Sequence, residues 1–291
     1  MSSTARIHGV NKPIPAPIEH YENFPVASWL CPPRLRPPIA AIYHFARTAD
    51  DLADEGESSA DQRLDDLAAY RADLLATAQG LPVSGRWPQV FGPLAIQLQA
   101  FKLPLPLLDD LLDAFAQDVR KTRDAEGYAD RAELLDYSRR SANPVGRLLL
   151  HLYGVQDAAA LRQSDAICSA LQLINFWQDL SRDVPRGRHY LNDADCVVHG
   201  VTRAEIEALR PTPALLALLA DQVRWARALM REGAPLVHRV PGRAGWELRL
   251  VVQGGLRILD RIEALDHNTL QHRPTVRAAD APRLLWRALW M

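Results

Sequence analysis

Two pairs of aspartate residues have the spacing of a metal-binding site. Asp50 and Asp54 are four residues apart, and Asp179 and Asp183 repeat that separation. Residues at positions i and i+4 of an α-helix lie on the same face, so each pair would direct two carboxylates the same way. A single pair of this kind is usually a solvated helix face. Two pairs in one chain favour a functional role.

Both pairs follow strongly apolar stretches. Ile42 and Phe45 precede the first pair, and Ile174, Phe176 and Trp177 precede the second. Carboxylates among apolar side chains need an offsetting charge. Mg²⁺ meets that need, because it is held by one or two carboxylates together with substrate phosphates. We therefore predict that the two pairs face each other and clamp a diphosphate through bridging Mg²⁺ ions. Basic residues near the pairs would complete the clamp: Arg47, Arg182, Arg186 and Arg188.

The elements that must position these pairs are helices. Apolar residues recur at three- and four-residue intervals almost throughout, and the alternation typical of β-strands is essentially missing. Proline and glycine fall mainly between the periodic blocks, where they end helices. We predict an all-α fold, with one helical-bundle domain at 19–291 around a central cavity and a flexible arm at 1–18. The predicted helices span residues 36–55, 60–79, 88–101, 105–121, 130–153, 157–184, 203–209, 213–238, 243–268 and 280–290.

Composition excludes several classes of function. The net charge of the 291 residues is −1, so no nucleic-acid partner is predicted. Three scattered cysteines argue against a disulfide framework and fit a reducing cytoplasm. We expect Cys31, Cys168 and Cys196 to be packing residues. No stretch has the length of a membrane span. Residues 281–291 alternate Leu and Trp with Arg, and we expect them to dock on the core, with peripheral contact to the inner face of a membrane as the alternative.

The motifs around the aspartate pairs resemble those of the squalene/phytoene synthase family. Residues 43–54 are similar to the family pattern Tyr-x-Phe-x-Arg-x-x-Asp-Asp-x-x-Asp. Residues 172–183 are similar to Gln-Leu-x-Asn-x-x-x-Asp-x-x-x-Asp, and residues 187–191 to the Gly-Arg-x-Tyr-Leu that follows it. The resemblance extends over about residues 21–270. It implies an all-α isoprenoid synthase fold with the active site in a central channel, and a prenyl diphosphate substrate.

The resemblance also implies roles for individual residues. Mg²⁺, with Mn²⁺ as the alternative ion, would be held by the four aspartates, with Asn175 supporting the second pair. Tyr137 would orient a water molecule or the diphosphate, and NADPH is not expected. The candidates for substrate contact are Asn23, Phe24, Arg47, Asn175, Arg182, Arg188 and Tyr190. The candidates for the apolar wall, whose aromatic faces would stabilise a carbocation, are Phe24, Phe45, Leu173, Phe176 and Trp177.

A third segment indicates which subgroup of the family the sequence resembles. The family commonly has Val-Ala-Gly-x-Val-Gly after a tyrosine, whereas Asn143-Pro144 stands here at the Gly-x position. Together with residues 20–28 and 176–179, this looks like the hydroxysqualene synthases of bacterial hopanoid pathways. Those enzymes convert presqualene diphosphate and water to hydroxysqualene and diphosphate. The resemblance therefore also implies functional coupling to other enzymes of hopanoid synthesis.

Asn143-Pro144 has a physical interpretation. If a helix runs through Pro144, the carbonyl of Arg140 loses its intrahelical partner and the helix kinks. That carbonyl and the amide of Asn143 could then hold one water molecule in an apolar channel, where it would capture a carbocation. The alternative is that Asn143-Pro144 only shapes helix packing or caps a new helix.

Three alternatives to this function stay open. The first is a dehydrosqualene, phytoene or squalene synthase that condenses two prenyl diphosphates. The second is a terpene cyclase, which the Gly-Arg-x-Tyr-Leu run at 187–191 fits poorly. The third is a non-catalytic helical assembly factor of the same fold, against which the intact aspartates argue.

Overall fold

A computed structural model describes residues 31–291, and every regular element in that part of the chain is helical. The all-α prediction is confirmed. The candidates Asn23 and Phe24, the segment 20–28 and the arm at 1–18 lie outside the described residues. The α-helices are α1 (Arg36–Asp54), α2 (Ala60–Gln79), α3 (Pro88–Phe101), α4 (Leu105–Arg123), α5 (Arg131–Ser141), α6 (Asn143–Leu152), α7 (Ala158–Gln178), α8 (Leu180–Asp183), α9 (Asp193–His199), α10 (Arg203–Glu207), α11 (Pro213–Gly233), α12 (Arg243–Glu263) and α13 (Ala281–Leu289).

The hydrophobic core has two clusters of buried residues. One is built mainly from α1–α4 together with Leu148 and Leu152 of α6. The other is built mainly from α5, α7, α11 and α12, and α7 makes its most extensive contact with α11. Helix α1 belongs to the first cluster and α7 to the second, so the two acidic motifs reach the site from different halves of the core.

Helix α1 buries one face and leaves its charged side chains beside it. Ile39, Ile42, Phe45 and Ala49 are buried, at the three- and four-residue intervals that gave the helix prediction. The Tyr70 hydroxyl of α2 donates a hydrogen bond of 3.1 Å to the Phe45 carbonyl, which ties α2 to this helix. The acidic motif therefore begins where the buried stripe of α1 ends.

The prediction of a continuous helix over residues 130–153 is wrong. Helices α5 and α6 meet at Ala142, and Pro144 lies in the first turn of α6, where a missing N–H breaks no helical hydrogen bond. The Val145 N–H donates to the Ala142 carbonyl over 3.2 Å, so the new helix begins directly after the break. A new helix therefore begins at Asn143, and the water-capture role of this residue stays a prediction.

Other predicted boundaries shift for local reasons. The predicted helix at 157–184 is interrupted at Asp179, but the Asp183 N–H still donates to the Asp179 carbonyl over 2.9 Å, so the pair keeps its helical spacing. The predicted helix at 213–238 ends at Gly233 and continues as a 3₁₀ turn, Ala234–His238. The predicted helix at 243–268 ends at Glu263, because Asp266 and His267 have positive φ. Helix α9 was not predicted, since seven residues show little periodicity.

Candidate active site

An ion pair joins the two acidic motifs. Arg188, just after the second motif, contacts the carboxylate of Asp54 in the first. Gly187 makes this contact feasible: its φ of +76° turns the chain after the 3₁₀ turn Val184–Arg186, and the Arg188 N–H returns to the Asp183 carbonyl over 3.0 Å. The structure thus brings the end of α1 and the segment after α8 together, as the clamp hypothesis requires.

Arg47 is the cation of the first motif. It contacts Asp50 at 3.0 Å, Asp51 at 2.7 Å and Glu55 at 3.1 Å. Glu55 is exposed and Arg47, Asp50 and Asp51 are only half-buried, so each pair contributes little to stability. One guanidinium holding three carboxylates places a positive charge beside the predicted metal ligand Asp50.

A third carboxylate, Asp118 of α4, lies among the aspartates of both motifs. Its carboxylate accepts a hydrogen bond from the Tyr137 hydroxyl of α5. Burial, together with the charges of Asp50 and Asp183, raises the pKa of Asp118 to about 7, although the hydrogen bond from Tyr137 lowers it. Asp118 therefore lies within the electrostatic reach of both motifs.

The predicted ligands Asp50 and Asp183 share this environment. Burial raises the pKa of Asp50, against the opposing effect of Arg47. Burial and the neighbouring Asp179 raise the pKa of Asp183 to about 7, although Arg186 and Arg182 lower it. The three raised pKa values show that burial of these carboxylates is only partly offset by the neighbouring arginines.

Four aromatic rings form one wall beside Asp118. Tyr190 stacks on Phe176 with ring centroids 3.6 Å apart and planes 10° apart, and Tyr137 lies 6.1 Å from Phe176. Tyr128 completes the group, 5.6 Å from Tyr137. This stacking packs the Gly-Arg-x-Tyr-Leu segment against α7, and burial raises the pKa of both Tyr137 and Tyr190.

Arg273 contacts the second motif from a distant part of the chain. Its guanidinium binds Asp179 through two nitrogen atoms, with Nη2 at 3.1 Å from Oδ2. The adjacent Pro274 carbonyl accepts a hydrogen bond of 2.6 Å from Gln178 Nε2. The segment after α12 therefore lies across the end of α7 and brings a further positive charge to the predicted metal ligand.

A polar cleft opens beside the Arg188–Asp54 pair. Its volume is about 350 Å³, and its walls come from α1, α2, α4 and the segment after α8. Four of its lining residues are arginines and two are aspartates. The polar cleft is lined by Ala53, Asp54, Ala60, Arg63, Asp118, Val119, Thr122, Arg123, Arg186 and Arg188. Its excess of guanidinium groups suits an anion such as diphosphate.

An apolar cavity lies between α6, α7 and α12. Its volume is about 130 Å³, and its walls include Val145, Leu149, Leu171 and Val251, with Cys31 near one end. None of the described aromatic-wall candidates lines it. Phe45, Leu173 and Trp177 are instead fully buried in the core, and Phe176 packs on Tyr190.

The remaining predicted residues take different positions. Asn175 is half-buried in the last turn of α7, and its carbonyl accepts the Asp179 N–H at 2.9 Å. Arg182 is exposed. Asn143 is buried, and its side-chain oxygen accepts a hydrogen bond of 3.0 Å from the Ser169 hydroxyl of α7. That contact ties α6 to α7.

The cysteines occupy apolar surroundings. Cys31 and Cys196 are buried and Cys168 is partly buried. Burial raises the pKa of Cys168 to about 12 and that of Cys196 to about 11, and it also raises the pKa of Cys31. Each thiol is therefore protonated at neutral pH, as expected of packing residues.

Sequence reasoning missed Asp118, Arg63, Arg123 and Arg273. The sequence could have pointed to Asp118, because this carboxylate stands seven residues after Leu111 and three after Phe115, on the apolar face of α4. A carboxylate on such a face is worth examining as a functional group. No sequence pattern points to Arg273, since it follows a stretch without helical periodicity and contacts Asp179 only through the tertiary fold.

The donor set fits a divalent cation that takes part of its coordination from substrate. Among residues 31–291, no three His, Cys, Asp or Glu side chains converge closely enough to hold a metal unaided. The carboxylates come in pairs, and burial raises the pKa values of Asp50, Asp118 and Asp183 more than the nearby cationic groups lower them. Mg²⁺ suits such a site, because it commonly takes one or two carboxylates and completes its sphere with water and phosphate.

Comparison with known proteins identifies the family of the chain. The model of the squalene/phytoene synthase family matches residues 19–280. A hydroxysqualene synthase of Rhodopseudomonas palustris is 34% identical over 247 residues, covering 84% of this chain and 80% of the relative. A phytoene synthase of Thermus thermophilus is 30% identical over 270 residues, covering 92% of this chain and 88% of the relative.

A solved structure shows the same architecture. The crystal structure of a squalene synthase, HpnC, from Alicyclobacillus acidocaldarius superimposes with a TM-score of 0.77 at 37% identity. The match covers 86% of this chain and 90% of that chain. The helical fold is therefore shared with a solved squalene synthase.

Proposed function

Because the chain belongs to the squalene/phytoene synthase family, we propose that its two acidic motifs together release diphosphate from presqualene diphosphate, and that water captures the resulting cation. The products would be hydroxysqualene and diphosphate, as in the hydroxysqualene synthases that the chain resembles. The observation that carries the proposal is the Arg188–Asp54 ion pair, which brings the motifs of α1 and α7–α8 to one site.

The diphosphate end of the substrate would bind in the polar cleft. Arg63, Arg123, Arg186 and Arg188 line this cleft, and Arg47 lies beside Asp50. Guanidinium groups bind phosphate oxygens through paired hydrogen bonds. Mg²⁺, or Mn²⁺, would be held by Asp50, Asp54, Asp179 and Asp183 with Asn175 in support, and would supply the charge that makes diphosphate a good leaving group.

The reaction breaks one C–O bond and forms another. The bonding electrons leave with the diphosphate, the cyclopropylcarbinyl cation rearranges by ring opening, and the oxygen of one water molecule bonds to the cationic carbon. The water must then lose a proton. Asp118, whose pKa is about 7, and its hydrogen-bonded partner Tyr137 form a pair that accepts a proton at neutral pH. The proposed reaction consumes no reductant, so NADPH is not required.

The hydrocarbon part of the substrate would extend into the apolar cavity. The cavity of about 130 Å³ is smaller than the 300–1,000 Å³ typical of pockets that enclose a drug-sized ligand. A substrate with two long prenyl chains therefore requires the leucine side chains of the wall, such as Leu149 and Leu171, to change rotamer. Exclusion of stray water by this wall would protect the cation.

The cellular setting is part of the same proposal. None of the helices in residues 31–291 is both long and apolar enough to cross a bilayer. We place the reaction in the cytoplasm, next to an enzyme that supplies presqualene diphosphate and to hopanoid-pathway enzymes that consume the alcohol.

Product analysis tests the proposal. The protein is incubated with presqualene diphosphate and Mg²⁺, without reductant, and the extracted lipid is identified by mass spectrometry. Hydroxysqualene is the expected product. Parallel incubations contain farnesyl diphosphate alone, geranylgeranyl diphosphate alone, or presqualene diphosphate with NADPH.

The parallel incubations separate the alternatives. Dehydrosqualene or phytoene from a prenyl diphosphate alone would replace the proposal with a condensing synthase, the activity named for the phytoene synthase relative. Squalene formed only with NADPH would identify a reductive synthase. Absence of Mg²⁺-dependent turnover on every substrate would favour the non-catalytic assembly factor.

A further inference from the structure

Helix α13 turns its apolar face to the solvent. Leu285 and Leu289 are 55% and 56% exposed, and Trp286 and Trp290 are 63% and 76% exposed. The two tryptophans stack on each other, with ring centroids 5.7 Å apart. Ala288 is the only residue of this helix that is buried. We call the four exposed residues Leu285, Trp286, Leu289 and Trp290 the tryptophan face.

Polar contacts, rather than apolar packing, hold α13 in this orientation. Arg287 and Arg283 bind Asp260 of α12 at 3.1 and 3.5 Å. Arg249 of α12 donates to the Ala288 carbonyl at 3.1 Å. Just before the helix, the buried Asp280 binds Arg257 and Arg261 of α12, each at 2.7 Å. A helix that docked to cover its own apolar residues would have the opposite orientation.

A basic groove runs beside the tryptophan face. It lies between α11, α12 and α13, has a volume of about 690 Å³, and includes both Trp286 and Trp290 in its wall. Its charged lining residues are three arginines, Arg227, Arg231 and Arg287, against one aspartate, Asp260. The groove therefore has excess positive charge next to exposed indole rings.

Helix α12 extends this combination of exposed tryptophan and arginine toward the apolar cavity. Trp246 of α12 is 44% exposed, and the Arg249 guanidinium that binds α13 also lies over its ring, 4.8 Å from the centroid. Ala244 and Leu248, on the same two turns of α12, line the apolar cavity. The first turns of α12 thus lie between the cavity and the surface that carries α13.

We propose that the tryptophan face and the basic groove dock this protein on the surface of an anionic phospholipid bilayer. Tryptophan and leucine side chains enter the region between headgroups and acyl chains, while arginines bind lipid phosphates. The only charged side chains in residues 281–291 are arginines, which favours an anionic bilayer over a second copy of this chain, whose matching face would also be basic. Docking here would bring the apolar cavity close to a hydrocarbon phase.

Vesicle co-sedimentation of the full chain tests the proposal. Vesicles of phosphatidylcholine with phosphatidylglycerol are compared with vesicles of phosphatidylcholine alone. We expect at least about tenfold tighter binding to the anionic vesicles, falling as salt is raised. The double variant W286S/W290S should lose about tenfold in binding, and Arg231→Glu should reduce the preference for anionic vesicles.

The control is the double variant V197S/V198S on α9. Those valines are 80% and 79% exposed but lie on another element, so binding should stay at the level of the unmodified chain. Diphosphate release in detergent should be the same in W286S/W290S as in the unmodified chain, because neither tryptophan is in the proposed active site. This readout separates the docking proposal from the proposed activity.

Three results would overturn the docking proposal. They are absence of vesicle binding by the unmodified chain, unchanged binding by W286S/W290S, and a dimer in analytical ultracentrifugation that W286S/W290S converts to a monomer. The last result would assign the tryptophan face to a second copy of the chain.

Discussion

At the scale of single residues, Asp118 illustrates how neighbours set the charge of a group. It stands on the apolar face of α4, bonds the Tyr137 hydroxyl, and lies in the field of Asp50 and Asp183. Burial and the two neighbouring carboxylates favour its neutral form and outweigh the hydrogen bond from Tyr137, which favours the charged form, so its pKa is about 7 rather than near 4. Its protonation is therefore linked to the stability of the metal-free protein.

Asp118→Asn should change how stability depends on pH. Between about pH 4 and pH 7 the folded protein binds this proton more tightly than the unfolded chain does, so stability falls as pH rises through that window. The stability of the variant should fall less over this range, and at pH 7.5 the variant should be more stable than the unmodified protein by on the order of 2 kcal/mol. Urea denaturation with a chelator at pH 5 and pH 7.5 measures this. The exposed Asp65→Asn is the control, and equal pH dependence in both variants would refute the assignment.

Asn143 carries the water-capture hypothesis, which stays a prediction. The structure adds a competing role, since the Asn143 side chain accepts a hydrogen bond from the Ser169 hydroxyl and joins α6 to α7. Asn143→Gly should lower the yield of hydroxysqualene relative to elimination or rearrangement products if the amide positions water. Mass spectrometry of the products decides this, with Ser169→Ala as the variant that loses only the interhelical bond. An unchanged yield of hydroxysqualene would leave Asn143 with its packing role alone.

At the scale of elements, the position of α7 depends on close approach to its neighbours. A Cβ atom at Gly233 of α11 would lie 2.6 Å from the Gln163 carbonyl oxygen and 2.5 Å from Ile167 Cγ1 of α7. Both contacts are too short, and the first is with backbone. The absence of a side chain at Gly233 lets α11 pack on the helix that carries the second acidic motif.

Gly233→Ala should therefore destabilise the protein by about 1–3 kcal/mol, because α7 and α11 must move apart. Gly254→Ala is the matched control, since nothing lies within 4 Å of its added Cβ. An alanine in that helix should be neutral or stabilise by up to about 1 kcal/mol. Thermal unfolding of both variants provides the measurement, and a similar melting temperature for the two would contradict the packing argument.

At the scale of the whole molecule, the site lies where two halves of the core meet. Helices α1 and α4 supply Asp50, Asp54 and Asp118 from one core cluster. Asp179, between α7 and α8, and Asp183 of α8 come from the other. Arg188 and Arg273 provide cations at this junction. A ligand that bridges the motifs should therefore stabilise the molecule as a whole.

Mg²⁺ with inorganic diphosphate should raise the melting temperature more than either does alone. Asp50→Ala and Asp179→Ala should each lose most of that increase, and diphosphate release should fall at least about a hundredfold, while the apo variants stay folded. Thermal unfolding with and without a chelator gives the first readout and phosphate analysis the second. The exposed Glu232→Gln is the control. Near-normal turnover in both aspartate variants would refute the metal clamp.

Much of the local structure was determined by the sequence alone. The all-α fold, the helical placement of Asp50 with Asp54, and the proximity of Arg47 follow from spacing along one helix, because residues three and four apart must be neighbours there. The family resemblance rests on the same local motifs. The break at Ala142 was only partly foreseeable, since a proline ends one helix or begins another depending on how the flanking segments pack.

Only the tertiary structure decided the contacts between distant segments. Asp118, Arg273 and the polar cleft arise where helices far apart in sequence converge, and spacing along one helix carries no information about such convergence. The orientation of α13 is the same kind of result. Its Leu, Trp and Arg pattern defines an amphipathic helix, but the outward orientation of the apolar face is set by polar contacts with α12, among them those of Asp260 with Arg283 and Arg287.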